Sequence, residues 1–416
     1  MNSTTKKYLS MLIICLGGGI IFVLPYIQYS FYEPLQKATS LNDVQMGNLM
    51  SVLGIMSSFA YLLGGILADR FNVRYLISIS LAVTGLAGLW FSTLPSYGIL
   101  LVIMGIYAIS TVLTYWPAMI KAVKLLGSGD EQGKMFGFRE AGFGLFSLIF
   151  TQIGTLLIYN KSQDITGVKN IIVFYSIIYF VTAILTFLFL PNSKREDTKK
   201  IDSKEFVSGI KYVLKQPGVW LCGLIIFCVY TVAGPGLGKF VPYLTEVLGV
   251  KPGTAASISS FRLYLLPLIA APIAGFFVDK FKSSTRILFV ALIALAISTT
   301  IFVMIPANAN SATLIIIMGF VASFVVYMLR GVYFVPLSEL RIPNAFFGTA
   351  AGLISFIGFL PDAFMFTVFG NIMQDHPGVS GYRNIFWICI GLAILGAVFV
   401  LILQKIINKM KNTIKA

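Results

Sequence analysis

The chain has 416 residues, 57% of them hydrophobic and 11% charged, with a net charge of +15. Its mean hydropathy is +0.87. A soluble domain carries about 25% charged residues, so a soluble globular fold, a disordered chain and a coiled coil are all excluded.

The remaining class is a polytopic helical membrane protein. Its apolar runs are continuous rather than alternating, which argues against a β-barrel. In chain order the runs fall at about 9–31, 46–69, 75–94, 97–120, 137–159 and 170–190. A charged stretch, NSKREDTKKIDSKEFVSGIKYVLKQ, occupies 192–216. Six further runs follow at about 219–247, 254–278, 286–306, 311–337, 345–371 and 383–404. Twelve transmembrane helices are therefore predicted, with an N-terminal six-helix bundle at 1–190, a linker at 191–217 and a C-terminal bundle at 218–416. The N-terminal run lacks an A-x-A cleavage site and reads as a retained first helix.

The surplus positive charge is an orientation signal. Lys37, Lys161, Lys169, Lys251 and Arg383 fall on one side, and most of the 31 lysines and arginines fall in segments on the other. The positive-inside rule then places both termini in the cytoplasm of a multi-pass protein of the cell (inner or plasma) membrane. Charge placed this way marks contact with membrane lipid rather than nucleic acid.

An internal repeat supports the division into halves. GGILADRF at 64–71 recurs as AGFFVDKF at 274–281, which puts Asp279 210 positions after Asp69. Phe136-Gly137 recurs as Phe347-Gly348 after 211 positions. Both shifts are close to half the chain.

Gly64, Gly65, Leu67, Ala68, Asp69, Arg70 and Arg74 form G-G-x-L-A-D-R-x-x-x-R in the loop between helices two and three. On these residues the chain resembles the major facilitator superfamily, more loosely its anion and sugar-phosphate permease branches. Asn72 and Val73 stand where that family usually has a glycine and a basic residue, and the second copy keeps Gly275, Asp279 and Lys280. The resemblance implies an all-α membrane fold of two pseudo-symmetric six-helix bundles and secondary transport by alternating access. It also implies a conformational latch built from Gly65, Asp69, Arg70, Arg74, Asp279 and Lys280. In that latch, glycines let helices two and eleven approach, and Asp69 caps a helix end and pairs with arginine. The family's proline-containing antiporter motif is missing from helix five, where 140–154 reads EAGFGLFSLIFTQIG.

Charge inside a membrane costs about 2.5–3.5 kcal/mol per residue on insertion scales, so retained charges signal function. Lys239, Arg262, Arg330 and Asp362 lie in helices seven, eight, ten and eleven, which the resemblance places around a central cavity. Positions 210 before Lys239 and Asp362 hold Tyr29 and Gln152, polar groups that the first half offers. Cations outnumber carboxylates in this set, and a wet cavity of that balance attracts an anion, which arginine grips with a planar fork. Ser323, Tyr327, Arg330 and Phe334 share one face of helix ten. The substrate-binding candidates are thus Arg262, Arg330, Lys239, Tyr29, Gln152 and Tyr327. Asp362 is the proton-coupling candidate. Structural readings stand beside these: an arginine–Asp362 pair, Lys239 reaching outward to water, and Arg139 with Glu140 in a cytoplasmic ion-pair network.

The expected function is transport of a small organic or inorganic anion coupled to H+, by a monomer without cofactor. The rivals are transport of a neutral solute such as a sugar, and a ligand sensor that moves nothing. No catalytic constellation, metal-ligand spacing or G-x-x-x-x-G-K-[ST] loop is visible in the sequence, so an enzyme is not expected.

Overall fold

The computed structural model describes residues 3–126, 132–162, 164–192, 209, 211–340 and 342–412. The side chains of Gly65, Asp69, Arg70 and Asp279 lie outside the described ones, as does 193–208 of the polar stretch. Among the described residues there is no strand. The first membrane helix, α1, comes in two pieces, Ser3–Ile21 and Gln28–Thr39. It is followed by α2 (Asp43–Arg70), α3 (Val73–Ser92), α4 (Tyr97–Leu126), α5 (132–162) and α6 (Ile165–Phe189). The second series is α7 (Pro217–Val247), α8 (252–281), α9 (Ser284–Met304), α10 (Ala312–Glu339), α11 (344–375) and α12 (Val379–Asn412). Ten helical runs among the described residues are long and apolar enough to cross a membrane, and α1 and α2 complete the twelve.

The chain packs as two units. The first comprises Met1–Thr198 with Gly249–Leu268, and the second Lys199–Leu248 with Ile269–Ala416.

In the first unit α1 packs on α5, α2 on α4 and α3 on α6. Small residues set the closest approaches. A Cβ on Gly19 would stand 2.9 Å from the Ser147 nitrogen, so α1 lies backbone to backbone on α5. The Ser147 hydroxyl donates to the Gly19 carbonyl at 2.7 Å. Gly64 of the signature closes on α4: its missing Cβ would stand 2.8 Å from the Leu113 carbonyl oxygen. The signature glycine whose surroundings are described therefore serves a contact inside its own unit. Lys121 of α4 donates to the Ala68 carbonyl at 3.2 Å, placing a cation at the C-terminal end of α2 where the helix dipole favours it.

The sequence reads α1 as one helix, but it breaks at 22–27. Pro25 has no N–H and disfavours helical backbone before it. Lipid supplies no partner for the groups this frees. Tyr179 of α6 supplies one. Its buried hydroxyl donates to the Ile20 carbonyl at 2.9 Å and accepts from the Leu24 N–H at 3.2 Å. The helix then restarts at Gln28.

In the second unit α7 packs on α11 and α12, and α9 on α10 and α12. Gly358 of α11 lies against Ile226 of α7. Tyr243, Phe302, Tyr382 and Phe386 meet edge-on or tilted with ring centroids 5.0–5.9 Å apart, the arrangement their quadrupoles favour. Glu339, closing α10, accepts from the Ser284 N–H at 3.2 Å and from its hydroxyl, and so caps α9 with a carboxylate.

Tyr179→Phe leaves the Leu24 N–H and the Ile20 carbonyl without this partner, at a cost of about 1–3 kcal/mol. The variant is expected to melt at lower temperature in detergent. An unchanged melting curve would mean that the break holds without the tyrosine.

Candidate functional site

The second unit brings three helices to one polar cluster. In α11 the α-helix stops at Phe359, a tight turn spans Leu360–Ala363, and the helix resumes at Met365. Pro361 lacks the N–H that would continue the helix, and the turn it sits in carries Asp362 inward to 7% exposure. The Tyr230 hydroxyl of α7 donates to Asp362 Oδ2 at 2.8 Å. The second carboxylate oxygen, Oδ1, is buried with no hydrogen-bond partner among the described residues.

Arg330 of α10 meets the same tyrosine. Its guanidinium carbon lies 5.9 Å from the Tyr230 ring centroid and 5.7 Å from that of Tyr327, both within cation–π range. Among the described residues Arg330 and Asp362 form no direct ion pair; Tyr230 touches both, bonding the acid through its hydroxyl and facing the base with its ring. Arg330 is exposed as a residue, and its side chain is also hydrogen-bonded to Tyr333. On the same face of α10, Tyr327 is buried, and the Ser323 hydroxyl is spent on the Gly319 carbonyl at 2.7 Å.

Lys239 belongs to the same unit. It follows a wide, π-type turn at Val232–Gly236 and precedes another at Tyr243–Val247. It is buried, so it does not reach outward to water.

Arg262, Tyr29 and Gln152 fall in the first unit. Arg262 lies in the π-type turn Phe261–Leu265 of α8 and is 1% exposed. Such turns insert an extra residue and re-aim side chains, and they recur at functional sites. The stretch of α8 just before it is tied to α1 and α5. The Ser259 hydroxyl donates to the Tyr29 carbonyl at 2.8 Å, and Gln152 Nε2 donates to the Ser257 carbonyl at 3.3 Å. Tyr29 stacks on Tyr26 with centroids 5.5 Å apart. The three residues thus gather around 257–262.

Of the latch residues, Arg74 and Lys280 have described side chains. Arg74 stacks on Phe187 of α6 at 4.9 Å and donates to Asn192 Oδ1 at 3.3 Å. Lys280 is exposed, with its ammonium 5.9 Å from the Phe281 ring. Gly65, Asp69, Arg70 and Asp279 lie outside the described side chains.

Two residues escape a reading of the sequence. Tyr230 sits among apolar neighbours 132 positions from Asp362, and no local pattern links them. Arg139 pairs with Glu140 as its sequence suggests, but the sequence does not show that it is 6% exposed and within cation–π range of both Trp116 and Phe143. Its position in an apolar helix after charged 131–134 is the one available signal. Among the described residues no group of three His, Cys, Asp or Glu could hold a metal ion.

A family profile described as the Major Facilitator Superfamily matches residues 8–364. The chain is 31% identical to the inner membrane protein YihN of Escherichia coli strain K12, covering 99% of each. It is 23% identical to the glycerol-3-phosphate transporter of Bacillus subtilis strain 168, over 87% of this chain and 85% of that one. A crystal structure of a bacterial homolog of the human lysosomal transporter Spinster, inward-facing and unoccupied, superposes with a TM-score of 0.73 at 16% identity, covering 98% of both chains. That likeness concerns the fold.

Tyr230→Phe keeps the ring beside Arg330 and deletes the hydroxyl bonded to Asp362. A buried carboxylate oxygen then loses its donor, so the purified variant is expected to melt lower than the parent. Equal melting of the two would show that the bond contributes nothing to the folded state.

Proposed function

The chain belongs to the Major Facilitator Superfamily, and on that premise we propose that it moves a small organic or inorganic anion across the cell membrane, coupled to protons. Membership makes it a multi-pass membrane transporter of a small molecule rather than an enzyme. Anion selectivity and proton coupling are the proposal.

One observation carries the anionic reading. Arg330 is a guanidinium within a membrane helix that lies against two aromatic rings and, among the described residues, makes no direct ion pair with the nearby acid. Its fork keeps donors for a carboxylate, phosphate or sulfonate group. The named substrate of the Bacillus subtilis relative, glycerol 3-phosphate, is such an anion. Lys239 and Tyr327 in the second unit, and Arg262, Tyr29 and Gln152 in the first, complete the substrate-binding set of this reading.

Asp362 is the proton carrier of the proposal. One of its oxygens is bonded to Tyr230 and the other is buried without a hydrogen-bond partner among the described residues, which gives a proton a place to bind. A carboxylate that gains and loses a proton changes the local charge beside Arg330. Anion and proton then travel in a fixed ratio.

The working unit is a monomer of two six-helix halves, 1–190 and 218–416, joined by the linker 191–217, with both termini cytoplasmic. Gly65, Asp69, Arg70, Arg74, Asp279 and Lys280 form the latch that switches between its states.

Proteoliposome uptake tests the reading. Accumulation of the transported anion is expected to rise when the outside is made more acidic. Competition should come from organic or inorganic anions and not from neutral sugars. Arg330→Gln should lower uptake at least about tenfold, the loss of roughly one charge-assisted contact. Asp362→Asn should abolish proton-driven accumulation while sparing anion exchange. Full uptake by Arg330→Gln, or competition by sugars alone, would replace the anion with a neutral solute. Ligand binding without flux would make the protein a sensor.

A further inference from the structure

The first unit holds a buried cation that the reading above leaves unused. Arg139 lies in the first third of α5, with its guanidinium carbon 4.8 Å from the Trp116 ring centroid and 5.5 Å from that of Phe143. An arginine carries five N–H donors and no acceptor. Among the described residues its hydrogen-bonded partner is Glu140 Oε1, met through one terminal nitrogen. Its Nε is buried and, among the described residues, bonded to nothing. The Tyr115 hydroxyl of α4 lies in the same neighbourhood, fully buried and likewise without a partner. Gly17 of α1 makes room for it: a Cβ there would come within 2.7 Å of the Tyr115 oxygen.

The two rings cover the guanidinium, and its donors run around the edge. An edge is the part that grips a carboxylate or phosphoryl group, two oxygens to two N–H groups. Buried donors, Arg139 Nε and the Tyr115 O–H, outnumber the acceptors offered to them. Glu140 does not redress this, because its side chain is 63% exposed while that of Arg139 is 7% exposed. It approaches from the solvent side and meets one nitrogen.

We propose that Arg139, flanked by Trp116 and Phe143 and joined by Tyr115, is an anion-binding site in the first unit, with Glu140 as the internal carboxylate that an incoming anion displaces. The proposal rests on the anionic reading and adds a basic residue from the half that the sequence presents as neutral. The ligand class is a small anion with at least two oxygens on one carbon, phosphorus or sulfur. The aromatic walls favour a compact head group over a strongly hydrated chain.

The role of Glu140 gives the test its sign. A structural ion pair and a displaceable one respond oppositely when the acid is neutralised. Glu140→Gln, Arg139→Lys and Arg330→Gln are purified beside the parent, and binding of inorganic phosphate and of glycerol 3-phosphate is measured by titration calorimetry. Melting without ligand is recorded for each. Glu140→Gln removes a competitor and should tighten binding several-fold, about three- to tenfold. Its unliganded melting should stay near that of the parent, because Glu140 is mostly exposed and the Trp116 and Phe143 rings stay beside the guanidinium. Arg139→Lys keeps the charge and loses the fork, and should weaken binding about tenfold. Weaker or unchanged binding in Glu140→Gln overturns the displacement and makes the pair structural. If Arg330→Gln abolishes binding while Arg139→Lys leaves it unchanged, the anionic reading stands and the Arg139 site falls. If the parent binds neither anion, both fall together.

Discussion

Lipid offers no hydrogen bonds. Every backbone group inside the membrane must therefore find a partner within the chain, and this one constraint accounts for most of the structure. It makes the spanning segments helical. It also turns each departure from a regular helix into a place where a side chain has to serve. The break in α1 is closed by Tyr179. The break in α11 follows from Pro361 and delivers Asp362. The wide turns in α7 and α8 flank or contain Lys239 and Arg262. Backbone irregularity and interior polar side chains coincide at these places.

The same solvent makes charge expensive, and the chain sets two of its interior arginines against aromatic rings. Arg330 has Tyr230 and Tyr327; Arg139 has Trp116 and Phe143. A ring supplies a negative face without competing for the N–H donors. A carboxylate in that place would consume them. Arginines held in this way stay anchored while their forks remain available. Phe187 does the same for Arg74 of the signature.

Much of the fold was legible in the sequence because hydropathy and length bear directly on spanning. The number of helices and their order follow from runs of apolar residues. The ends were less legible. α4 runs on to Leu126 past Lys121, because that lysine serves the carbonyl end of α2 rather than a loop. The division of α1 was marked by Pro25, but its extent depends on Tyr179, more than 150 positions away. The site was half legible. A charged residue in an apolar run announces itself, so Lys239, Arg262, Arg330 and Asp362 stood out. Tyr230 did not, since a tyrosine in an apolar helix is ordinary until packing sets it beside an acid and a base. Arg139 is legible as the partner of Glu140, and that pair forms, but only packing shows that the two sit at different depths.

Helix α8 changes allegiance along its length. Its opening stretch belongs with α1 and α5, through Ser259 on Tyr29 and Gln152 on Ser257, whereas from Ile269 onward it belongs to the second unit. A protease nick in 193–208 would cut the covalent path between the halves and leave this docking intact. The C-terminal fragment would still carry a segment that completes the N-terminal one, in the manner of fragment complementation, so that the cleaved halves would travel together through purification.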